Sequence, residues 1–396
     1  MYTEPSSMEP MLPQQQELLL ELAFEITKVS ARTAGHVHPL VFAEAVDMLR
    51  VINSYYSNLI EGHSTHPIDI ERAMRNDYSS EPAKRALQEE SAAHIEVQVA
   101  LEKRLLSEPE LDVVSPEFIF WLHEQFYSRM PAEFCYVNHP DGGRLEVVPG
   151  KLRKLAVVVG MHVAPEANVL PRFLKRFHDV YRLDRLHGGE RRLIAAAAAH
   201  HRLGWIHPFL DGNGRVMRLF TDAYLYQSKL DGYGLWTVSR GLARNVKGYK
   251  QRLAQADCQR QGNYDGRGNL SMKGLYEFCQ FFLQICLDQA EYMSEMLRLN
   301  RLAERIKGYV DLRAHGLVVG MEKLDPQAAC ILHAVLLHGE LGRGEAGRAS
   351  GFAERKSSLL LKQLLNEGLL RSDTPKGSVR LGFPAHAMTY LFPGLV

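Results

Sequence analysis

Apolar side chains recur every three to four residues along most of this chain, the spacing that lines one face of an α-helix. The pattern predicts helices over 15–32, 40–61 (Leu49, Ile52, Tyr56 and Leu59 on one side), 82–106, 115–130, 171–185, 190–206 and from about Gly214 to Ser228. Residues 275–307 read as one long helix or a helical pair, with Phe278, Phe281, Phe282, Ile285 and Met293 on its apolar side. Alternation with period two is rare. The run "LAVVVGMHVAP" (155–165) is the one clear strand signal, β-branched and ended by Pro165. "PAEFCYVNHPDGG" reads as loop, and residues 1–14, rich in Pro, Ser and Gln, as a frayed end. The expected fold class is mainly α, a helical core with a small β-hairpin.

After about residue 322 the pattern changes. "DPQAACILHAVLLHG" is a helix, "GRGEAGRASG" a short Gly-rich segment, "AERKSSLLLKQLLNEGLL" a second clear helix, and "RSDTPKGSVRLGFP" a hairpin. That order is the one expected of a winged helix-turn-helix. The division expected is an N-terminal helical region over 1–110, a core over 111–310 and a winged-helix domain over 322–396. "GRGEAG" formally matches G-x-G-x-x-G, but it follows a helix, so the dinucleotide reading fails its own context.

Charge and cysteine content narrow the classes. Lys+Arg total 47 and Asp+Glu 46 in 396 residues, so no global field points to nucleic acid or membrane. No apolar run is long enough to span a bilayer, and "MYTEPSSMEP" lacks the basic start of a signal peptide. The five cysteines are scattered and never C-x-x-C, which suits reduced thiols in a cytoplasmic protein.

The chemistry concentrates in "HPFLDGNGRVMR", His207 to Arg218. Pro208 cannot continue the preceding helix. Asp211-Gly212-Asn213-Gly214 is a turn, and the next helix starts there, so its first backbone N–H groups are unpaired donors. Arg215 and Arg218 are one turn apart on that helix start, where cations oppose the dipole unless an anion is bound. Two arginines and a nest of amides suit a polyphosphate. Asp211 beside phosphates makes sense with Mg²⁺ bridging them. His207 is the nearby group able to take a proton near pH 7. Taken singly, Asp211 also suits an N-cap, the glycines a tight turn and the arginines a solvated face. Three devices asking for the same anion favour a Mg-nucleotide site with a general base. His200 and His201, neighbours on a helix, read as packing residues rather than metal ligands.

The same string resembles the Fic family signature, H-x-F-x-[D/E]-G-N-G-R-x-x-R, at every specified position. The resemblance implies a helical fold and transfer of a nucleotide monophosphate, usually AMP from ATP, to a protein hydroxyl. It makes His207 the base for the target Ser, Thr or Tyr and Phe209 the anchor of the loop. Asp211 becomes the Mg²⁺ ligand, Gly212, Asn213 and Gly214 the cradle of the α- and β-phosphates, and Arg215 and Arg218 the ligands of the outer phosphates. "KLAVVVGMHVAP" is similar to the family's flap, which adds the target segment as an extra strand and borders the adenine pocket at Val159, Gly160, Met161 and His162. Downstream, where many members have a Tyr-Tyr pair and then an Asn near the base, this chain has Tyr249, Lys250 and Asp257.

A second stretch, "SYYSNLIEGHS", resembles the family's inhibitory motif, [S/T]-x-x-x-E-[G/N], at Ser57, Glu61 and Gly62. Glu61 ends a helix, the unfavourable end of the dipole for an acid, and Ser57 lies on the same face. By the resemblance, Glu61 pairs with Arg218. Such a pair at ~4 Å and an effective dielectric near 20 is worth up to ~4 kcal/mol before desolvation.

The leading expectation is an autoinhibited protein adenylyltransferase using Mg²⁺ and ATP. Its partners are a target protein along the flap, the chain itself as a target, and a second copy in a homodimer. The same pocket also suits removal of AMP, with Glu61 placing a water. Two alternatives stand beside it: a transferase using another nucleotide donor, and a DNA-binding regulator whose Fic domain senses nucleotide. In the C-terminal module Arg355, Lys356 and Lys362 would face phosphates from the second helix, with Lys376 and Arg380 in the wing. DNA and protein docking are equally open for that module.

Overall fold

The computed structural model describes residues 2–14, 16–138 and 142–396. His139, Pro140 and Asp141, in the expected loop, lie outside the described residues. Helices form where the apolar spacing placed them, α1 (Glu17–His36), α2 (Pro39–Ile60), α4 (Pro82–Ser107) and α5 (Pro116–Tyr127), and a short one not expected, α3 (Pro67–Met74), lies between α2 and α4. Two small antiparallel hairpins follow, β1 (Tyr136–Asn138) with β2 (Arg144–Glu146) and β3 (Val158–Val159) with β4 (His162–Val163). Then come α6 (Leu170–Tyr181), α7 (Gly189–Ile206), α8 (Asn213–Gln227), α9 (Val238–Arg244), α10 (Val246–Asp257), α11 (Met272–Met296) and α12 (Leu299–Ala314).

Several expectations change. The run "LAVVVGMHVAP" is not the one strand its β-branched composition suggests but the tight hairpin the family resemblance implies, because Gly160 takes a φ of +60° and reverses the chain. Part of the expected loop, Tyr136–Asn138, forms β1 and pairs with the residues just beyond the loop, β2. Of the two readings of 275–307 the helical pair holds, broken between Met296 and Leu299. Residues 2–14 are not frayed. Met8 and Met11 are buried, Tyr181 donates to the Met11 carbonyl at 2.5 Å, and Arg202 donates to the Pro10 carbonyl at 2.7 Å. Composition counted the polar residues there and passed over two apolar anchors.

The chain divides into two compact units that are not contiguous in sequence. The first holds Met1–Lys28, Asn53–Tyr233 and Thr237–Gln289. At its centre α7 packs on α8, with α4 and α5 also against α8. Five consecutive alanines, 195–199, let α7 approach closely, and all are buried. The second unit holds Val29–Ile52, Gly234–Trp236 and Ala290–Val396. It contains α13 (Ala328–His338), β5 (Glu340–Leu341), α14 (Arg343–Ala349), α15 (Glu354–Asn366), β6 (Leu370–Arg371), β7 (Val379–Leu381) and α16 (Ala385–Leu391). Its strands form an antiparallel sheet in the order β5-β7-β6. "GRGEAG" therefore follows a two-residue strand, not a helix. The dinucleotide reading still fails, since that strand is antiparallel to its neighbour and the helix after it has seven residues.

Candidate active site

The motif loop joins the C-terminus of α7 to the N-terminus of α8. His207 leaves α7 in the left-handed region (φ 48°, ψ 61°), a conformation that costs a non-glycine residue about 1 kcal/mol or more. Gly212 caps α8 at φ 75° with no side-chain cap bond, so Asp211 is not an N-cap. A side chain at Gly212 would run into the Tyr127 ring at 2.5 Å, so the turn requires glycine. The loop is braced from within. Asn213 accepts from the Phe209 N–H and donates to the Phe209 carbonyl, both at 2.9 Å. Its side chain is thereby committed to the loop rather than to a phosphate. Phe209 is fully buried and stacks on His123 (3.9 Å), which stacks on Tyr127 (4.5 Å). It anchors the loop and touches no open space.

The first intrahelical bond of α8 runs from Val216 N–H to the Gly212 carbonyl, so the N–H groups of Asn213, Gly214 and Arg215 are the helix's open donors. Glu61 already faces them. A Cβ at Gly214 would collide with the Glu61 carboxylate. That carboxylate bonds Arg218 at 2.6 Å. Arg218, 3% exposed, also donates to the Ser57 hydroxyl and the Ser57 carbonyl, each at 2.9 Å. Glu61 sits just past α2, and Gly62 turns the chain away at φ +92°. Burial opposes the charge on Glu61, but Arg218 outweighs it and Arg215 adds to the pull, so the carboxyl is held below its usual value.

Arg215 behaves differently from expectation. It is buried, paired to the fully buried Glu90, and lies 5.0 Å from the Phe126 ring centroid. Its second arm reaches Asp211 at 3.5 Å. Glu90 also bonds His63 at 2.7 Å, and that bond raises the imidazole above its usual value. The structure thus places Arg215 as a strut behind the loop, leaving Arg218 as the motif arginine paired at the anion position.

Asp211 accepts from the Tyr127 hydroxyl at 2.7 Å through Oδ2, while Oδ1 has no hydrogen-bond partner among the described residues. Burial pushes the Tyr127 phenol up, so it stays a donor. A partly exposed carboxylate with one oxygen uncommitted, beside a row of anion-seeking donors, fits a Mg²⁺ held jointly with phosphate oxygens. His207 is pushed down to about 4 by burial, with the positive charge of Arg153 adding to the effect. Its imidazole is neutral at pH 7, as a proton acceptor must be.

The flap is open to solvent. Val158 and Val159 are exposed and Met161 is 99% exposed, so Val159, Gly160 and Met161 line no enclosed pocket. His162 points inward and bonds the Trp205 carbonyl at 2.8 Å. Tyr249 is 2% exposed, its hydroxyl on His200 at 2.8 Å, and cannot lie against a base. Lys250 is exposed. Asp257 pairs with His201 at 3.1 Å and lies within electrostatic reach of His162. His200 and His201 are packing residues, as expected, both buried and bonded. Sequence reasoning missed His123, Tyr127, Glu90 and Arg153. Their one signal was polar residues inside helical or loop patterns with apolar neighbours.

Fold and site together define a helical protein with a turn of open backbone N–H groups between two core helices and a neutral histidine at its edge. Residues 113–225 match the family model described as Fic/DOC family, and the chain carries a Fic domain. Among curated proteins, "Protein adenylyltransferase Fic" of Nematostella vectensis is 27% identical over 174 residues, 44% of this chain and 37% of that one. The protein of the same description from Drosophila willistoni is 37% identical over 79 residues, 20% of this chain and 16% of that one. The chain thus spans between a sixth and just over a third of the length of these relatives. Among solved structures, a Fic family protein from Desulfovibrio desulfuricans G20 matches with a TM-score of 0.52 at 17% identity, covering 96% of this chain and 98% of that one. That likeness concerns the fold.

Proposed function

We propose that this protein transfers AMP from Mg-ATP to a Ser, Thr or Tyr hydroxyl of a protein, and that Glu61 holds it inhibited. The observation that carries the reading is the Glu61 carboxylate lying on Arg218 and over Gly214, the place a phosphate would take. An acid at the end of one helix and an arginine at the start of another answer each other's unfavourable dipole. A γ-phosphate competes for the same guanidinium.

Transfer follows from the arrangement. The target hydroxyl loses its proton to the His207 imidazole, and its oxygen forms a bond to the α-phosphorus. The bond from that phosphorus to the bridging oxygen breaks, and pyrophosphate leaves. The open N–H groups of Asn213, Gly214 and Arg215 and the freed Arg218 hold the negative charge of the phosphates. Mg²⁺ on Asp211, when bound, would neutralise charge on the phosphate oxygens. The exposed edge of β3–β4 offers backbone donors and acceptors to an extended target segment, which suits a partner that adds a strand. The chain's own hydroxyls are candidates for the same reaction. The five cysteines are free thiols, which suits a reducing, cytoplasmic setting.

The deciding experiment is intact mass of the chain and of co-incubated proteins after Mg-ATP, for wild type and Glu61→Gly. Addition of AMP by Glu61→Gly and little by wild type supports the reading. No AMP from either, with nucleotide bound, defeats it. A second donor reading rests on Asp257, a carboxylate that would accept a hydrogen bond from the exocyclic amine of adenine, guanine or cytosine alike. Labelled ATP, GTP, UTP and CTP compared side by side decide between donors.

For the C-terminal unit we propose a winged helix-turn-helix, on the helix order and the β5-β7-β6 sheet. Protein docking suits it better than DNA. Arg380 pairs with Glu44 and Asp373, and Lys356 with Asp325. Leu359, 62% exposed, sits on the helix that would meet the groove.

A further inference from the structure

Arg153 lies outside both motifs, between β2 and β3. It is 3% exposed and among the described residues pairs with no carboxylate. Its guanidinium donates instead to three backbone carbonyls: Nε to His207 at 2.8 Å, Nη1 to Leu155 at 2.8 Å, and Nη2 to Pro165 at 2.6 Å. Its own backbone N–H donates to the Pro208 carbonyl at 3.0 Å. Leu155 enters the flap hairpin and Pro165 leaves it, and Ala164 N–H to Val157 carbonyl (3.1 Å) closes its base. One planar fork therefore holds both ends of the flap and the backbone of the left-handed His207.

A buried cation without a counter-charge is costly and gives way to neutral side chains unless its donors are needed. Here all three arms are used, on acceptors set by a rigid fork that lysine cannot copy. His207 holds a backbone conformation that is unfavourable for histidine, and its carbonyl is the group Arg153 grips. The flap has only two residues in each strand, too few to fix its own position.

We infer that Arg153 is a positioning residue that locks the target-binding flap and the catalytic histidine into one geometry, so that a target hydroxyl presented by the flap meets the imidazole in register. The inference rests on the transfer reading above. It adds a residue that no phosphate or metal touches, and it separates alignment from nucleotide binding. The anion site is built on Arg218 and the first turn of α8, so removing Arg153 leaves that site in place.

The test uses the full chain carrying Glu61→Gly, alone and with Arg153→Ala or Arg153→Lys. Transfer is read by intact mass and ATP affinity by titration. For Arg153→Ala the expected result is a fall in transfer on the order of 100-fold, the scale set by ~1 Å of misplacement, with ATP affinity within about twofold. Millimolar guanidinium ion should restore at least part of that rate in Arg153→Ala and none in Arg153→Lys, where the site is filled. A transfer rate equal to the parent, or ATP affinity lost in step with rate, overturns the inference. Should Arg153→Ala fail to fold, Arg153→Lys carries the same decision, since an ammonium cannot reach three carbonyls and full activity would sink the claim. Two readouts need no activity. In the Arg153 variants, amide exchange at Ala164 should quicken. In Arg153→Ala alone, the His207 imidazole should titrate higher, because the neighbouring positive charge is gone. If both stay at parent values, Arg153 does not couple flap and histidine, whatever the transfer assay gives. A parent chain that transfers no AMP while these two shifts appear would instead count against the function proposed above and leave the coupling standing.

Discussion

Two acid–arginine pairs stand side by side at the motif, and they are built differently. Glu90 and Arg215 are both buried, with His63 closing the far side of the carboxylate. Glu61 and Arg218 share a buried guanidinium but a carboxylate whose side chain is 34% exposed. Glu90 sits inside the 26-residue helix α4, whereas Glu61 follows the last turn of α2 on a glycine-ended connection. The first pair has no path by which a solute could replace the acid. The second lies on open N–H donors at the start of α8, where, on the proposed reading, a phosphate would replace it. Identical charges thus form a buried strut in one place and, on the reading proposed above, a removable block in the other, and burial of the acid makes the difference.

The largest expected effect separates them by rate. Glu61→Gly should raise AMP transfer by on the order of 100-fold or more, since a few kcal/mol at about 1.4 kcal/mol per tenfold is a large factor. Glu90→Gln should not raise it. Intact mass against time measures both, and equal stimulation by the two variants would erase the distinction. Arg218→Ala should be inactive in either background. Next comes stability. Glu90→Gln leaves Arg215 buried without its counter-charge and should cost about 3–5 kcal/mol. Glu61→Gly should cost less, about 1 kcal/mol, because the emptied position opens Arg218 and the α8 N–H groups to water and free anions, which offset most of the lost pair. Urea midpoints at constant slope decide it, and a larger loss from Glu61→Gly would reverse the assignment of strut and block.

A smaller effect concerns the metal. Tyr127→Phe removes the donor that orients Asp211, and in the Glu61→Gly background it should raise the Mg²⁺ requirement by about tenfold. Asp211→Ala should abolish the dependence with most of the activity. An unchanged Mg²⁺ titration in both would return Asp211 to a structural role.

The smallest effect is an expected flatness. His207 is lowered to about 4, so it stays neutral above that value and protonates only below it. Transfer by Glu61→Gly should therefore hold level from pH 7 to about 5, and fall as pH drops through about 4 rather than through the usual imidazole range. The same shift favours the folded state less as pH falls below 6.5, where the unfolded histidine takes a proton and the folded one does not. Glu61 is held below its usual carboxyl value, so it stays ionised and the ratio of mutant to wild-type rate should not change over that interval. A ratio that collapses near pH 6 would show that some other group sets the block.

Much of this site was legible in the order of residues. A histidine, a proline, an acid, a glycine-bounded turn and two arginines in twelve positions define a helix end, a helix start and an anion. Ser57 and Glu61, four apart, define a face. These are local relations, set by the pitch of a helix and the backbone freedom of glycine. The division of labour between Arg215 and Arg218 was not legible, because both occupy equivalent positions on one helical turn. What differs is which acid faces each, and Glu61 and Glu90 come from other helices. Tyr249 looked like a base-pocket residue by its place after the motif, yet tertiary packing turned its hydroxyl onto His200.

Residue order over short stretches is enough for the helical class, the turn between α7 and α8, and the type of ligand such a turn invites, because each depends on residues within a few positions of one another. Packing between distant segments is what brings Glu61 to Arg218, sets Glu90 against Arg215, docks the first residues through Met8 and Met11, and lets Arg153 grip both the flap and His207. The physical reason is range. Helix spacing and turn chemistry act over one or two turns, whereas a buried charge is satisfied by whichever group the packed chain brings within about 3 Å, however distant it is in sequence.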